Sequence, residues 1–145
     1  MLRGIDPILG PDLLHALRAM GHGDEIAIVD ANYPAASNAK RLIRIDGVDA
    51  VRVAEAILAV LPLDTFVEVA AFRMEVVDDP DAVPAVCKLF EDVVERFAPG
   101  HKVGKIERFK FYERAAGAFA TVATGENRLY GNLVLKKGVI RPEGD

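Results

Sequence analysis

At 145 residues the chain suffices for one domain spanning 1–145 and is too short for two of ordinary size. Its 51% hydrophobic content contains no apolar run of the ~18 to 20 residues a membrane helix needs, and a net charge of −4 lacks the basic face of a nucleic-acid binder. Cys87, the single cysteine, excludes an intrachain disulfide and a Cys-rich zinc site and suits a reducing cytoplasm.

Residues Met1 to Pro7 lack the basic flank and apolar stretch of a secretory signal. A helix is predicted from Pro11 to Met20, with Leu13, Leu17 and Met20 at helical spacing, ended by Gly21-His22-Gly23-Asp24. Glu25 to Asp30 reads as a short buried strand that delivers Asp30 into the loop Ala31-Asn32-Tyr33-Pro34. Arg41 to Ile45 alternates as a strand, and Asp49 to Leu61 is a helix that Pro62 stops. Phe66 to Val77 alternates loosely and is predicted as a strand. Val83 to Phe97 is predicted as an amphipathic helix with Val86, Leu89, Phe90, Val93 and Phe97 inward. The last third predicts a strand over Val103 to Phe111, a short helix over Tyr112 to Gly117, and strands over Ala118 to Thr124 and Asn132 to Lys136. This interleaving favours an α/β domain with a layered sheet.

Three stretches have residue types suited to chemistry. His22 lies between two glycines that allow close approach of other groups, so its imidazole can stand over a cavity; the same glycines also suit a helix cap and turn. Asp30, at the C-terminal end of a buried strand, occupies the rim where α/β folds place ligands, or caps the turn that follows. Tyr130-Gly131-Asn132 combines a phenol, a residue without a side chain and a carboxamide, a set fitted to recognise hydroxyls and equally to make a turn. Asn32, Tyr33 and Ser37 are further loop candidates for hydroxyl binding. Arg108 and Lys110 are expected on one face of their strand, with Arg114, Lys136 and Lys137 as further charged candidates. His15 and His101 read as surface residues.

Phosphate-binding glycine loops, His-x-x-x-His and Cys-x-x-Cys metal pairs, and the Gly-x-Ser-x-Gly elbow are all missing from the sequence. What remains is one histidine among carboxylate and amide groups, which suits proton transfer on an uncharged polar substrate.

The runs Gly21 to Ile26, Asp30 to Ala35, Arg108 to Arg114, Thr124 to Glu126 and Tyr130 to Val139, in this order, resemble the RbsD/FucU family of sugar mutarotases, in particular its L-fucose branch. The resemblance implies a layered α/β/α sandwich around a central mixed sheet. It implies a cofactor-independent isomerase that interconverts the α and β anomers of L-fucose or a related monosaccharide, with no bound metal. It implies His22 as the catalytic acid/base, with Asp30, Arg108, Tyr130, Gly131 and Asn132 holding the sugar. It also implies a cytoplasmic, ring-based homo-oligomer, a decamer, with sites near subunit boundaries. Asn32 stands where the L-fucose branch commonly has His, a departure that bears on the preferred sugar if the position touches it. The alternatives are a D-ribose pyranase and a non-catalytic monosaccharide-binding or transport-accessory protein. A ring assembly would give the aliphatic surplus a place, on the faces of the Asp49 to Leu61 and Val83 to Phe97 helices or at strand edges, between like subunits.

Overall fold

The computed structural model describes residues 1–144. Six strands form one sheet: β1 (Glu25–Val29), β2 (Leu42–Ile45), β3 (Ala71–Met74), β4 (Val103–Ile106), β5 (Ala120–Thr124) and β6 (Leu133–Lys136), in the order β2-β5-β1-β6-β3-β4. Strands β2, β5 and β1 run parallel, β3 and β4 run parallel, and β6 is antiparallel to both its neighbours, β1 and β3. The sheet is therefore mixed.

Helices cover both faces, because the central strands are apolar on both sides. On one face α1 (Pro11–Ala19), α3 (Ala50–Leu58) and α4 (Ala85–Phe97) pack on Ile26, Ile28, Val122, Leu133 and Leu135. On the other, α2 (Ala35–Asn38) and α5 (Arg108–Gly117) pack through Ala35, Phe111 and Ala115 on Ala27, Val29, Ala123 and Val134. The result is the three-layer α/β/α arrangement. Among the described residues no helix is long and apolar enough to cross a membrane.

Strand direction decides what each rim carries. Ile28 pairs with Leu133, so the residues before β6 arrive beside the C-terminal end of β1, and Tyr130, Gly131 and Asn132 come to lie next to Asp30. Strand β3 also ends at this rim, since Arg73 pairs with Leu133, and β4 ends beside it, with Met74 opposite Ile106. The start of α5 follows β4 directly, which brings Arg108 to the same rim. The opposite rim receives Glu25 beside Lys136 and, with them, the Gly21 to Asp24 loop.

Two boundaries differ from the expectations. The strand predicted over Val103 to Phe111 ends at Ile106, and α5 begins at Arg108 with the Glu107 side chain accepting the Lys110 N–H. Arg108 and Lys110 therefore stand on a helix and not on one strand face. The i, i+4 pair Phe111 and Ala115, both buried, sets the helical period that the alternation of charged and aromatic residues concealed. The strand predicted over Phe66 to Val77 shrinks to Ala71–Met74. Residues 66–69 lie beyond the last ladder bond with β6, from the Lys136 N–H to the Ala70 carbonyl, and Val76 begins a tight turn through Asp78 at φ 63°.

The aliphatic face of α3 is used within the chain, and that of α4 in part. Seven of the nine residues of α3 are buried, packed on α4 and the sheet. In α4 the inward residues are Val86, Cys87, Phe90, Val93 and Val94, whereas Leu89 and Phe97 are exposed, contrary to expectation. Exposed apolar side chains also flank the two rims, with Phe66 62% exposed near the Gly21 to Asp24 loop and Leu129 67% and Phe109 62% exposed near the other.

Candidate active site

Asp30, Arg108, Tyr130 and Asn132 converge with Asn32, Tyr33, Met74, Val77, Tyr112 and Leu129 on a cleft of about 170 Å³. Drug-sized ligands and cofactors take roughly 300–1,000 Å³, so this space suits a smaller polar molecule.

Its floor is a reciprocal pair. The Asp30 N–H donates to Asn132 Oδ1 at 2.8 Å, and Asn132 Nδ2 donates to Asp30 Oδ2 at 3.0 Å. Asp30 Oδ1 accepts the Asn32 N–H at 2.9 Å. Burial pushes the Asp30 carboxyl above the usual aspartate value of 3.8 and outweighs these hydrogen bonds; the nearby Glu126 charge acts in the same direction. The Asp30 side chain therefore has both readings at once: it holds its loop and lines the cleft.

Tyr130 has φ 67°, a left-handed conformation that costs a bulky residue strain and that clusters at functional sites. Its hydroxyl accepts the Val77 N–H at 3.1 Å, which ties the strip before β6 to the turn after β3. Gly131 is needed for packing: a Cβ there would lie 2.5 Å from Glu126 Cγ. Glu126 is 1% exposed, and its carboxylate accepts from the N–H of Ala50 at 3.2 Å, the N–H of Arg128 at 3.0 Å, and the Arg128 guanidinium at 2.8 Å. Its carbonyl accepts the Ala31 N–H, so one buried glutamate braces both the Asp30 loop and the Tyr130 strip.

Arg108 supplies an unspent donor. Its guanidinium lies 4.6 Å from the centre of the Phe109 ring, and its Nε is buried without a hydrogen-bond partner among the described residues. The Arg108 side chain is one of the cleft's lining groups. Tyr33 is pushed up to about 12 by burial and stays a phenol.

His22 is not in this cleft. It precedes β1 whereas Asp30 follows it, and five strand residues at about 3.3 Å each separate them by at least about 16 Å. The two glycines do make a turn, with Gly23 at φ 86°, yet the imidazole is also held out: Nε2 lies 3.0 Å from Asp64 Oδ1, and the ring centroid sits 5.0 Å from that of Phe66.

Most of the remaining polar candidates have structural partners. Arg114 forms a two-pronged pair with Glu25 at 2.7–3.1 Å over the Phe72 ring, and Lys137 Nζ donates to the carbonyls of Leu17 and Met20. Lys136 lies 3.9 Å from Glu25, Lys110 is exposed on α5, and the Ser37 hydroxyl donates to the Pro34 carbonyl. Among the described residues no group of three or more His, Cys, Asp or Glu is placed to hold a metal ion. Sequence reasoning gave no role to Asp64 or Tyr112 and missed the bracing role of Glu126. Tyr112 and Glu126 had a signal, as parts of the Arg108 to Arg114 and Thr124 to Glu126 runs, and Asp64 had none.

The sequence model of the RbsD/FucU transport protein family matches residues 3–140. The fucose mutarotase of Homo sapiens is 47% identical over 145 residues, covering 96% of this chain and 94% of its own length. The crystal structure of the fucose mutarotase from Streptococcus pneumoniae in complex with L-fucose superimposes with a TM-score of 0.89 at 43% identity, covering 97% of this chain and 100% of that one. FucU from Bifidobacterium longum gives a TM-score of 0.90 at 38% identity, with coverage of 96% and 100%.

Proposed function

The chain belongs to the RbsD/FucU family, and from that membership we propose that it is a cofactor-independent isomerase that interconverts the α and β anomers of L-fucose. The observation that carries this reading is the convergence of Asp30, Arg108, Tyr130 and Asn132 on one small cleft in a chain so close to fucose mutarotases. Asp30 accepts from sugar hydroxyls, Asn132 donates to or accepts from them, Tyr130 adds a phenol, Gly131 keeps the strip close to Glu126, and the Arg108 guanidinium supplies further donors.

The reaction needs two proton transfers and one bond exchange. His22 donates a proton to the ring oxygen while water or a second group takes the anomeric hydroxyl proton. The bond between the anomeric carbon and the ring oxygen breaks, and its electron pair goes to the ring oxygen. The open aldehyde turns about the adjacent C–C bond, and the reverse transfers close the other anomer. An imidazole can both give and take a proton near neutral pH, which suits both directions, and such transfer contributes on the order of 10²–10⁴-fold.

His22 of one subunit serves the cleft of the next. A general acid must come within about 2.6–3.2 Å of the atom it protonates, a reach that the two rims of a single subunit do not allow. Apposing the His22 rim of one copy to the cleft rim of another is a head-to-tail contact, and head-to-tail contacts build a ring where the rotation between copies closes. Phe66 at one rim and Leu129 and Phe109 at the other supply apolar surface for that contact. A decamer built from such rings, located in the cytoplasm, completes the reading; the latter is in keeping with a free, buried Cys87.

Magnetisation-exchange NMR on equilibrated L-fucose tests the activity. Purified protein should accelerate anomer exchange above the buffer rate, and an unchanged rate overturns the reading. Acceleration of ring-form exchange on D-ribose alone would assign a pyranase.

Asp30 gives the binding step a pH dependence. Its carboxyl titrates above 3.8, so as pH falls through that raised value the cleft loses an acceptor for sugar hydroxyls. L-Fucose affinity should weaken on the acid side with a midpoint above 3.8. Titration calorimetry across pH, with Asp30→Asn removing the dependence, checks this.

A further inference from the structure

The imidazole of His22 is held by a strap that the reaction scheme has not yet used. Residues 62–64 lie across the end of β6: the Gly138 N–H donates to the Pro62 carbonyl at 2.8 Å, and the Asp64 N–H donates to the Lys136 carbonyl at 3.0 Å. Only glycine at 138 allows this, because a Cβ would lie 2.5 Å from the Leu63 carbonyl oxygen and 2.7 Å from Asp64 Cα. The loop carrying His22 is anchored on the same segment. The Gly23 N–H donates to the Lys137 carbonyl at 2.8 Å, and the Lys137 N–H donates to the Asp24 carbonyl at 2.8 Å. Both partners of the His22–Asp64 contact are thus fixed to residues 136–138.

The Asp64 side chain is 3% exposed and its Oδ1 accepts two hydrogen bonds at 3.0 Å, one from the Phe66 N–H and one shared with His22 Nε2. Burial raises its carboxyl, but these bonds outweigh that and hold it below the usual range, so it is ionised at neutral pH. An ionised carboxylate can only accept. Nε2 must therefore carry the hydrogen, and the free lone pair of a neutral imidazole falls on Nδ1.

We infer that Asp64 is the positioning residue for His22, fixing Nε2–H toward itself so that Nδ1 is the atom that exchanges the proton with the sugar. This rests on His22 as the acid/base of the proposed function. Asp64 keeps its charge throughout. When Nδ1 takes a proton, the imidazolium faces a carboxylate, and when Nδ1 gives it up, the same tautomer returns without a ring flip.

The test combines kinetics with ¹⁵N NMR of the imidazoles in the full-length oligomer, His22 being assigned by its loss in His22→Ala. In the wild-type protein the neutral His22 ring is expected as the Nε2–H tautomer; an Nδ1–H ring overturns the inference without reference to any variant. Asp64→Asn keeps the shape and an acceptor for the Phe66 N–H. It should lower kcat for L-fucose anomer exchange at least about tenfold, within the limit of about 10²–10⁴-fold set by His22→Ala. It should also leave KM within about twofold, since it removes the charge that faces the imidazolium and keeps the Oδ1 acceptor. If His22→Ala is inactive while Asp64→Asn turns over like wild type, Asp64 is only a turn residue and the inference falls. If His22→Ala itself is fully active, the reading of His22 falls instead. Should Asp64→Asn fail to fold, the wild-type tautomer still decides.

Discussion

Replacing His22 by alanine should slow L-fucose anomer exchange by about 10²–10⁴-fold, the usual share of a positioned acid/base. L-Fucose binding should survive within a few-fold, because the side chains proposed to hold the hydroxyls stand at the other rim, joined to each other and not to His22. Asp30 pairs with Asn132, Tyr130 with the Val77 N–H, and none of these bonds involves the Gly21 to Asp24 loop. Folding should also survive, since the imidazole is 43% exposed and forms one hydrogen bond, to Asp64. A loss of kcat with KM held is the signature of a group that acts mainly in the transition state. Wild-type exchange by His22→Ala would remove it from the mechanism.

Gly131→Ala is the second large effect. The added Cβ would meet Glu126 Cγ at 2.5 Å and the Arg128 carbonyl oxygen at 3.3 Å. Glu126 cannot swing aside without breaking its bonds to Ala50 and to Arg128, so the strip itself must move and carry Tyr130 and Asn132 with it. Overpacking of this kind costs about 1–3 kcal/mol of stability. A shift of about 1 Å in binding groups can lower kcat/KM about 10²-fold. Thermal unfolding and exchange kinetics measure the two effects, with Gly47→Ala as the control, because a Cβ at Gly47 meets nothing within 4 Å. A Gly131→Ala protein with wild-type kinetics would show that Glu126 does not brace the strip.

The sequence made the periodic elements legible: α1, β1, α3, α4, β5 and β6 all lie within or close to their predicted ranges. It was weakest where two periods overlap. In Arg108 to Phe111 charged and aromatic residues alternate as in a strand, yet Phe111 and Ala115 obey the helical spacing that burial enforces. The cleft residues were legible as types, but their meeting depends on β6 running antiparallel to β1. A strand buried on both faces reads the same in either direction, so Leu133 to Lys136 could not announce which rim would receive Asn132 and which Lys137. Asp64 was hidden for a related reason. Its partner His22 is 42 residues away, and its local signature is only a turn back to the Phe66 N–H.

The division of the site between rims gives the account its sharpest consequence. His22→Ala and Asp30→Ala chains, each inactive alone, should regain L-fucose exchange when co-expressed with different tags and purified as mixed oligomers. In a random one-to-one assembly about a quarter of head-to-tail junctions unite an intact His22 with an intact Asp30, so about a quarter of wild-type activity per site is expected. A site contained within one subunit would have no intact copy in such a mixture. Mixed oligomers that remain inactive would contradict the shared site.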